Sequence, residues 1–307
     1  MFPASHKLLR SGVFFMWRAL GAVLAATAGT AFLSGRQLTL FFSQLGGMSW
    51  LAVGTASALF GLCCGALSRF ARQMGGENVA AVLMRRLDPR TGAAVGVAHG
   101  LLRAALAGIM LCVAGHMAAL LWMAKNAFWM GAAGALLTAA LLRMGRGRAA
   151  LGWMVLALGA AFYLALALDG REVQYATRYE VTLLWRGSAP AALALGLLSA
   201  CMSTALSAGV AVRACTGRTG PWGFGLFCAL LFLLVNLAGN AALRCRCDEI
   251  LSLRTPFAAL AAQWGTTGFF ICAGMTFLGA SVALAGVFLS LLRRKNGRCG
   301  ARRDVKF

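Results

Sequence analysis

Gly29-Thr30-Ala31-Phe32-Leu33-Ser34-Gly35-Arg36-Gln37 is the stretch that decides how this chain folds. It lies inside a long apolar run and interrupts it with glycines, hydroxyls, an arginine and an amide. In hydrocarbon a loosened backbone can be satisfied only by protein, trapped water or a ligand, so a break at membrane depth is tolerated where it is buried or faces a cavity. Two readings stay open from the spacing. One is a broken helix of the kind that seats a solute near the midplane of secondary transporters. The other is a glycine-flexed helix packed closely on its neighbours.

The membrane itself follows from composition. Of 307 residues, 60% are hydrophobic and only 12% charged, and the mean hydropathy is +0.77. Several stretches exceed the ~18 apolar residues that mark a spanning helix. The expected class is an all-α polytopic membrane protein. A net charge of +21 would fit a nucleic-acid binder, but the positive residues fall between apolar runs, so nucleic acid is not an expected partner. Lys7, Arg10 and Arg18 ahead of the first apolar run resemble a signal-peptide start. That run is too long for one and lacks a cleavage site, so an uncleaved first helix is expected.

About eight spans are predicted, near 19–45, 48–68, 92–124, 127–142, 149–168, 188–212, 221–243 and 258–292. They make a transmembrane domain over 19–292, preceded by a cytoplasmic N-terminus (1–18) and followed by a basic cytoplasmic tail (293–307). Positive charge sets the orientation. Lys7, Arg10 and Arg18, then Arg69, Arg72, Arg85, Arg86 and Arg90, then Arg143, Arg146 and Arg148, then Arg213 and Arg218, and finally the tail from Arg293 to Lys306, fall on one side if the spans alternate. The opposite loops dilute their arginines with Asp169, Glu172, Glu180, Asp248 and Glu249. Both termini are therefore expected in the cytoplasm, with the chain in the inner or cell membrane. The tail is an orientation signal that could also meet anionic lipid head groups. Residues 69–91 form the one sizeable polar cytoplasmic loop, with Val79, Val82, Leu83 and Leu87 spaced for an interfacial helix.

No Asp or Glu falls within a predicted span. That argues against a carboxylate proton relay or cation cage, so an ion site would be built from carbonyls, hydroxyls and amides. Arg36 is the informative charge. Burying it costs ~2.5–3.5 kcal/mol on insertion scales, and it either snorkels to the outer interface or meets an anionic group of a ligand. His116, in the third span, either bonds across a helix interface or shuttles a proton. His99 and Arg103 nearer the cytoplasmic end are expected to snorkel. Asn236 and Asn240 share one face of span seven as interhelical glue. Ser199, Ser203, Thr204, Ser207 and Gly209 mark span six as a second helix that could be interrupted. Span eight carries Gly274, Thr276, Gly279 and Ser281. The cysteines of the spans read as small hydrophobes, and Cys245-x-Cys247 without a nearby His or second pair is a poor metal signature. Neither a cofactor nor a metal site is expected, and no nucleophile–base pair marks an enzyme.

Residues Gly29–Gln37, with Leu38-Thr39-Leu40-Phe41-Phe42-Ser43-Gln44-Leu45-Gly46 after them, resemble the opening of YkvI-type membrane proteins, a Gly-Ala-Gly-Phe-Ala-Ser-Gly-Gln/Arg-Glu element followed by Phe-Phe and Gly. Cys112–Leu121, Leu234–Leu237 and Glu249-Ile250 through Pro256-Phe257 are similar to later elements of that family, in the same order. The resemblance implies the amino acid–polyamine–organocation (APC) superfamily and a LeuT-like inverted repeat with a broken first helix. Departures are specific. Ala31 stands at a usual glycine, Gln37 at the usual glutamate, His116 at a small residue and Ser281 where paired threonines are expected. On this resemblance the family's last two helices would be missing after span eight, and the second repeat would be incomplete.

These readings converge on a secondary-transporter-like protein binding a small, amino-acid-like or organic-anion solute. Gly29, Ser34, Gly35, Arg36 and Gln37 would contact it, with His116 and Ser203 opposite. Ala31, Thr276 and Ser281 are the candidate ion-site positions, for a coupling Na⁺ or H⁺. The alternative is a membrane scaffold that keeps the fold without transport. Partners would be the bilayer, the solute, and either a second copy or a helix-donating protein.

Overall fold

The computed structural model describes residues 17, 20, 23, 35–74, 87–122, 129, 132–134, 136, 157–159, 161, 162, 164, 165, 188–213, 220–244 and 256–278. They are almost entirely helical. The elements are α1 (Arg36–Phe41), a 3-10 segment (Ser43–Met48), α2 (Ser49–Met74), α3 (Pro89–Trp122), α4 (Ala189–Arg213), α5 (Pro221–Arg244), α6 (Pro256–Ala261), a 3-10 turn (Ala262–Trp264) and α7 (Gly265–Leu278). Among the described residues, Ser43–Gln73, Ala189–Ala208 and Pro221–Leu243 are each long and apolar enough to cross a membrane. The protein is thus built of apolar helices suited to a bilayer.

Local chemistry explains where the helices start. Pro89, Pro221 and Pro256 occupy first helical positions, where the missing N–H costs nothing and φ is already set. Asp88 caps α3, its carboxylate accepting from Arg90 N at 3.1 Å. Ser188 caps α4 through Oγ, 3.4 Å from Ala191 N.

The core is a three-helix junction with α2 in the middle, packed on α4 and on α5. Gly61 sets the α2–α5 spacing. A Cβ there would lie 2.5 Å from Ala229 Cβ and 2.6 Å from Gly225 O. Small residues at such a crossing let backbones approach, which is how membrane helices gain dispersion energy without a hydrophobic drive. Phe60 and Phe232 stack beside it with centroids 4.7 Å apart. On the other flank, Gly196 of α4 sits against Ala52 O, and Ser207 Oγ lies 3.9 Å from Cys64 Sγ. Residue pairs 52–196 and 64–207 advance together, so α2 and α4 run parallel. Pairs 49–240 and 65–222 advance oppositely, so α2 and α5 are antiparallel.

The outward faces are apolar. Trp50 and Leu62 of α2, Leu193 and Leu197 of α4, and Trp222, Leu226, Leu230 and Leu234 of α5 are exposed, as suits a lipid-facing surface. The 34-residue α3 touches α4 but leaves Val97, Leu101 and Ile109 exposed. Parts of the other predicted spans join the core. Leu20 and Val23 of the first are buried, Gly134 of the fourth meets the Phe277 ring of α7, and Phe162 of the fifth packs edge-on against Phe257 and Trp264.

Several expectations are revised. Span six is a continuous helix through its serines, Ala189–Arg213; non-helical backbone falls instead at Gly46 and at Gly265 (φ 80, ψ −174), the first residue of α7. Packing along α2 stabilises the span-six helix despite its hydroxyls. The second span extends to Met74, into the segment read as a polar loop. Residues 75–86, which carry most of the predicted interfacial helix, lie outside the described residues, as do Arg143, the tail and the later part of span eight.

Candidate functional site

Gly35 stands immediately before α1. Its φ of 78° and ψ of −11° are left-handed, a conformation cheap only for glycine. A regular helix begins at the next residue, α1, with Thr39 N bonded to Gly35 O at 3.0 Å. Thr39 Oγ1 donates to Arg36 O at 2.8 Å and tightens that turn. The face of Gly35 is closed by α6: a Cβ there would come within 2.8 Å of the Phe257 ring. Phe257 is fully buried, and Phe162 holds it edge-on at 6.4 Å.

A second interruption follows within a turn. α1 ends at Phe42 (φ −129, ψ −60), and the 3-10 segment includes Gly46 at φ 56, ψ −122. The ends of this segment are held by α5. Ser43 Oγ donates to Asn240 Oδ1 at 3.0 Å, and Asn240 Nδ2 donates to Ser49 Oγ at 3.0 Å. All three residues are buried. Gln44 Nε2 donates to Leu40 O. Buried polar groups in hydrocarbon need such partners, because no water replaces them.

The predicted site residues distribute as follows. Gly35, Arg36 and Gln37 sit together at the break, Arg36 and Gln37 half-buried. α1 touches both α4 and α5. Ser203 is buried on α4, in a stripe with Ser199 and Ser207. Ser199 Oγ is fully enclosed without a hydrogen-bond partner among the described residues. His116 is half-buried on α3. Thr276 is buried on α7 with its hydroxyl bonded to Cys272 O at 2.9 Å. Gly29, Ala31, Ser34 and Ser281 lie outside the described residues. His99, expected to snorkel, has its Nε2 enclosed by protein; the side chain of Arg103 is not among those described.

α1 has six residues, too few to sum a useful macrodipole. The helix end at Gly35 therefore carries little charge of its own. Asn236 and Asn240 are both buried on the shared face expected of them. What the spacing did not reveal is that Asn240 meets Ser43 and Ser49; two serines flanking Gly46-Gly47 were the available signal. Among the described residues no three His, Cys, Asp or Glu side chains group as metal ligands. Asp88, the one described acid, caps α3 outside any predicted span. No protein-family model matches the chain, and no curated protein matches it.

Proposed function

We propose that the chain is a secondary-transporter-like protein of the cytoplasmic membrane, binding a small solute with an anionic group at the break before α1. The observation that carries this reading is Gly35: a left-handed residue beside an arginine, set against a buried core in a chain of apolar helices. Arg36 would pair with the solute's carboxylate or equivalent through charge-assisted hydrogen bonds. Ser203, on the helix that α1 touches, would offer a hydroxyl. A coupling Na⁺ or H⁺ would rely on carbonyls and hydroxyls.

The eight-span, LeuT-like arrangement with both termini in the cytoplasm belongs to the same proposal. It is supported by helix direction. Parallel α2 and α4 require an odd number of crossings between them, which the spans near 92–124, 127–142 and 149–168 would supply. Antiparallel α5 then follows as the next crossing. The YkvI-type resemblance adds a broken first helix to that frame, and the basic tail would rest on anionic lipid head groups.

The test is thermal stabilisation of the purified protein against a panel of amino acids, organic anions and cations. A ligand at 100 times its Kd that binds only the folded state adds about 2.7 kcal/mol. A stabilising solute whose effect disappears in Arg36→Ala is the expected result. A solute that stabilises wild type and Arg36→Ala equally would remove the break from consideration.

A second reading, a scaffold that keeps the fold without transport, is favoured by one observation. The Phe257 ring leaves no room at the face of Gly35. In that case the break serves close packing, no solute in the panel stabilises the protein, and a partner copurifies from gently solubilised membranes.

A further inference from the structure

Six residues, Ser43–Met48, connect the short α1 to the long α2, and they contain backbone that no helix would adopt, at Gly46. The connector begins at Ser43, and Ser49, the first residue of α2, follows its other end. Both are buried, and both are bonded to the same side chain, Asn240 of α5. We propose that this connector is a hinge and that Asn240 is its latch, holding α1 in register with α2 by bridging the hinge's two ends.

The geometry is specific to a primary amide. Asn240 uses its oxygen to accept from Ser43 and its nitrogen to donate to Ser49. Neither a carboxylate nor an aliphatic side chain offers both functions. α2 is held along its length by α4 and α5, so it is the fixed partner. α1 has six residues, with the left-handed Gly35 directly before it and Gly46 in the connector after it. Any swing of α1 against α2 changes the separation of Ser43 and Ser49 and breaks at least one bond to Asn240.

The surroundings make the latch switch between two states. Phe42 and Leu45 are fully buried beside it, so water does not replace a broken bond and the closed state is the default. The serines have a second choice, because a serine hydroxyl in a helix can bond a carbonyl of its own preceding turn. Release therefore leaves those hydroxyls satisfied, and the hinge has an accessible open state. This inference concerns the connector alone and holds whether or not a solute binds at Gly35.

Hydrogen–deuterium exchange on the purified full chain, folded in detergent or nanodiscs, tests it. Asn240→Ala is expected to speed exchange of amides in 36–48 about ten-fold while amides of α2 beyond its first turn, α4 and most of α5 keep their protection, the mark of local opening. The double variant Ser43→Ala/Ser49→Ala should reproduce the pattern, and it decides the matter alone if Asn240→Ala does not fold. Unchanged exchange in 36–48, or a loss of protection shared equally by α2, α4 and α5, would show that Asn240 is ordinary interhelical glue and would overturn the latch.

Discussion

Replacing Gly225 with valine is expected to disrupt the α2–α5 crossing and leave little monodisperse protein after solubilisation. A Cβ on residue 225 would lie 2.5 Å from Gly61 O and 3.0 Å from both Cα and N of Gly65. All three obstacles are backbone, so no side chain can rotate away and the helices must separate. Overpacking costs ~1–3 kcal/mol where side chains can yield; here the upper end is expected, with further loss from the Phe60–Phe232 stack and the Asn240 bonds along the same seam. Thermal unfolding with size-exclusion recovery reads the effect. Gly223→Ala in the same helix and Gly54→Ala in α2 are the controls. Neither meets any atom within 4 Å, so each should be neutral or gain up to ~1 kcal/mol from helix propensity. Equal damage from Gly225→Val and Gly223→Ala would mean that the close approach is not what matters.

Gly35→Val is the second large effect, and it separates two costs. A residue with a Cβ pays ~1–2 kcal/mol to hold a left-handed backbone, and a β-branched one more. Its Cβ also enters the Phe257 ring at 2.8 Å, and crowding of that size adds ~1–3 kcal/mol. A fall of roughly 2–5 kcal/mol is expected. Gly35→Ala combined with Phe257→Ala divides it. Truncating the ring relieves the crowding but not the dihedral cost, so the pair should be less than additive by about 1–2 kcal/mol. Strict additivity in a thermal-stability cycle would show that the ring moves aside freely. If Gly35 also serves solute binding, any ligand-induced shift should vanish in variants that still fold.

Much of the helical framework was legible because lipid leaves the backbone few choices. Apolar runs must be helices there, and the predicted spans near 188–212 and 221–243 correspond to α4 and α5 within a residue or so. Pro221 and Ser188 mark those starts by local chemistry alone. The stretch around Gly35 stood out for the same reason, since glycine, hydroxyl and arginine are expensive inside an apolar run, and the left-handed residue before α1 lies within it. Span six misled because its serines resemble an interruption, whereas in a packed helix such hydroxyls turn toward neighbouring helices or back toward their own.

What the sequence by itself determined is the class of solvent this protein suits, the approximate extent of α4 and α5, and a polar stretch in which the left-handed Gly35 lies. These depend on composition and on residues close together in the chain. Tertiary structure alone decided that Phe257 closes the face of Gly35, that Gly61 and Gly225 bring α2 onto α5, and that one amide bridges Ser43 and Ser49. Those pairings join residues some 160 to 220 positions apart. Nothing in the local pattern of either partner names the other, because the fit of two helix surfaces is a property of the pair.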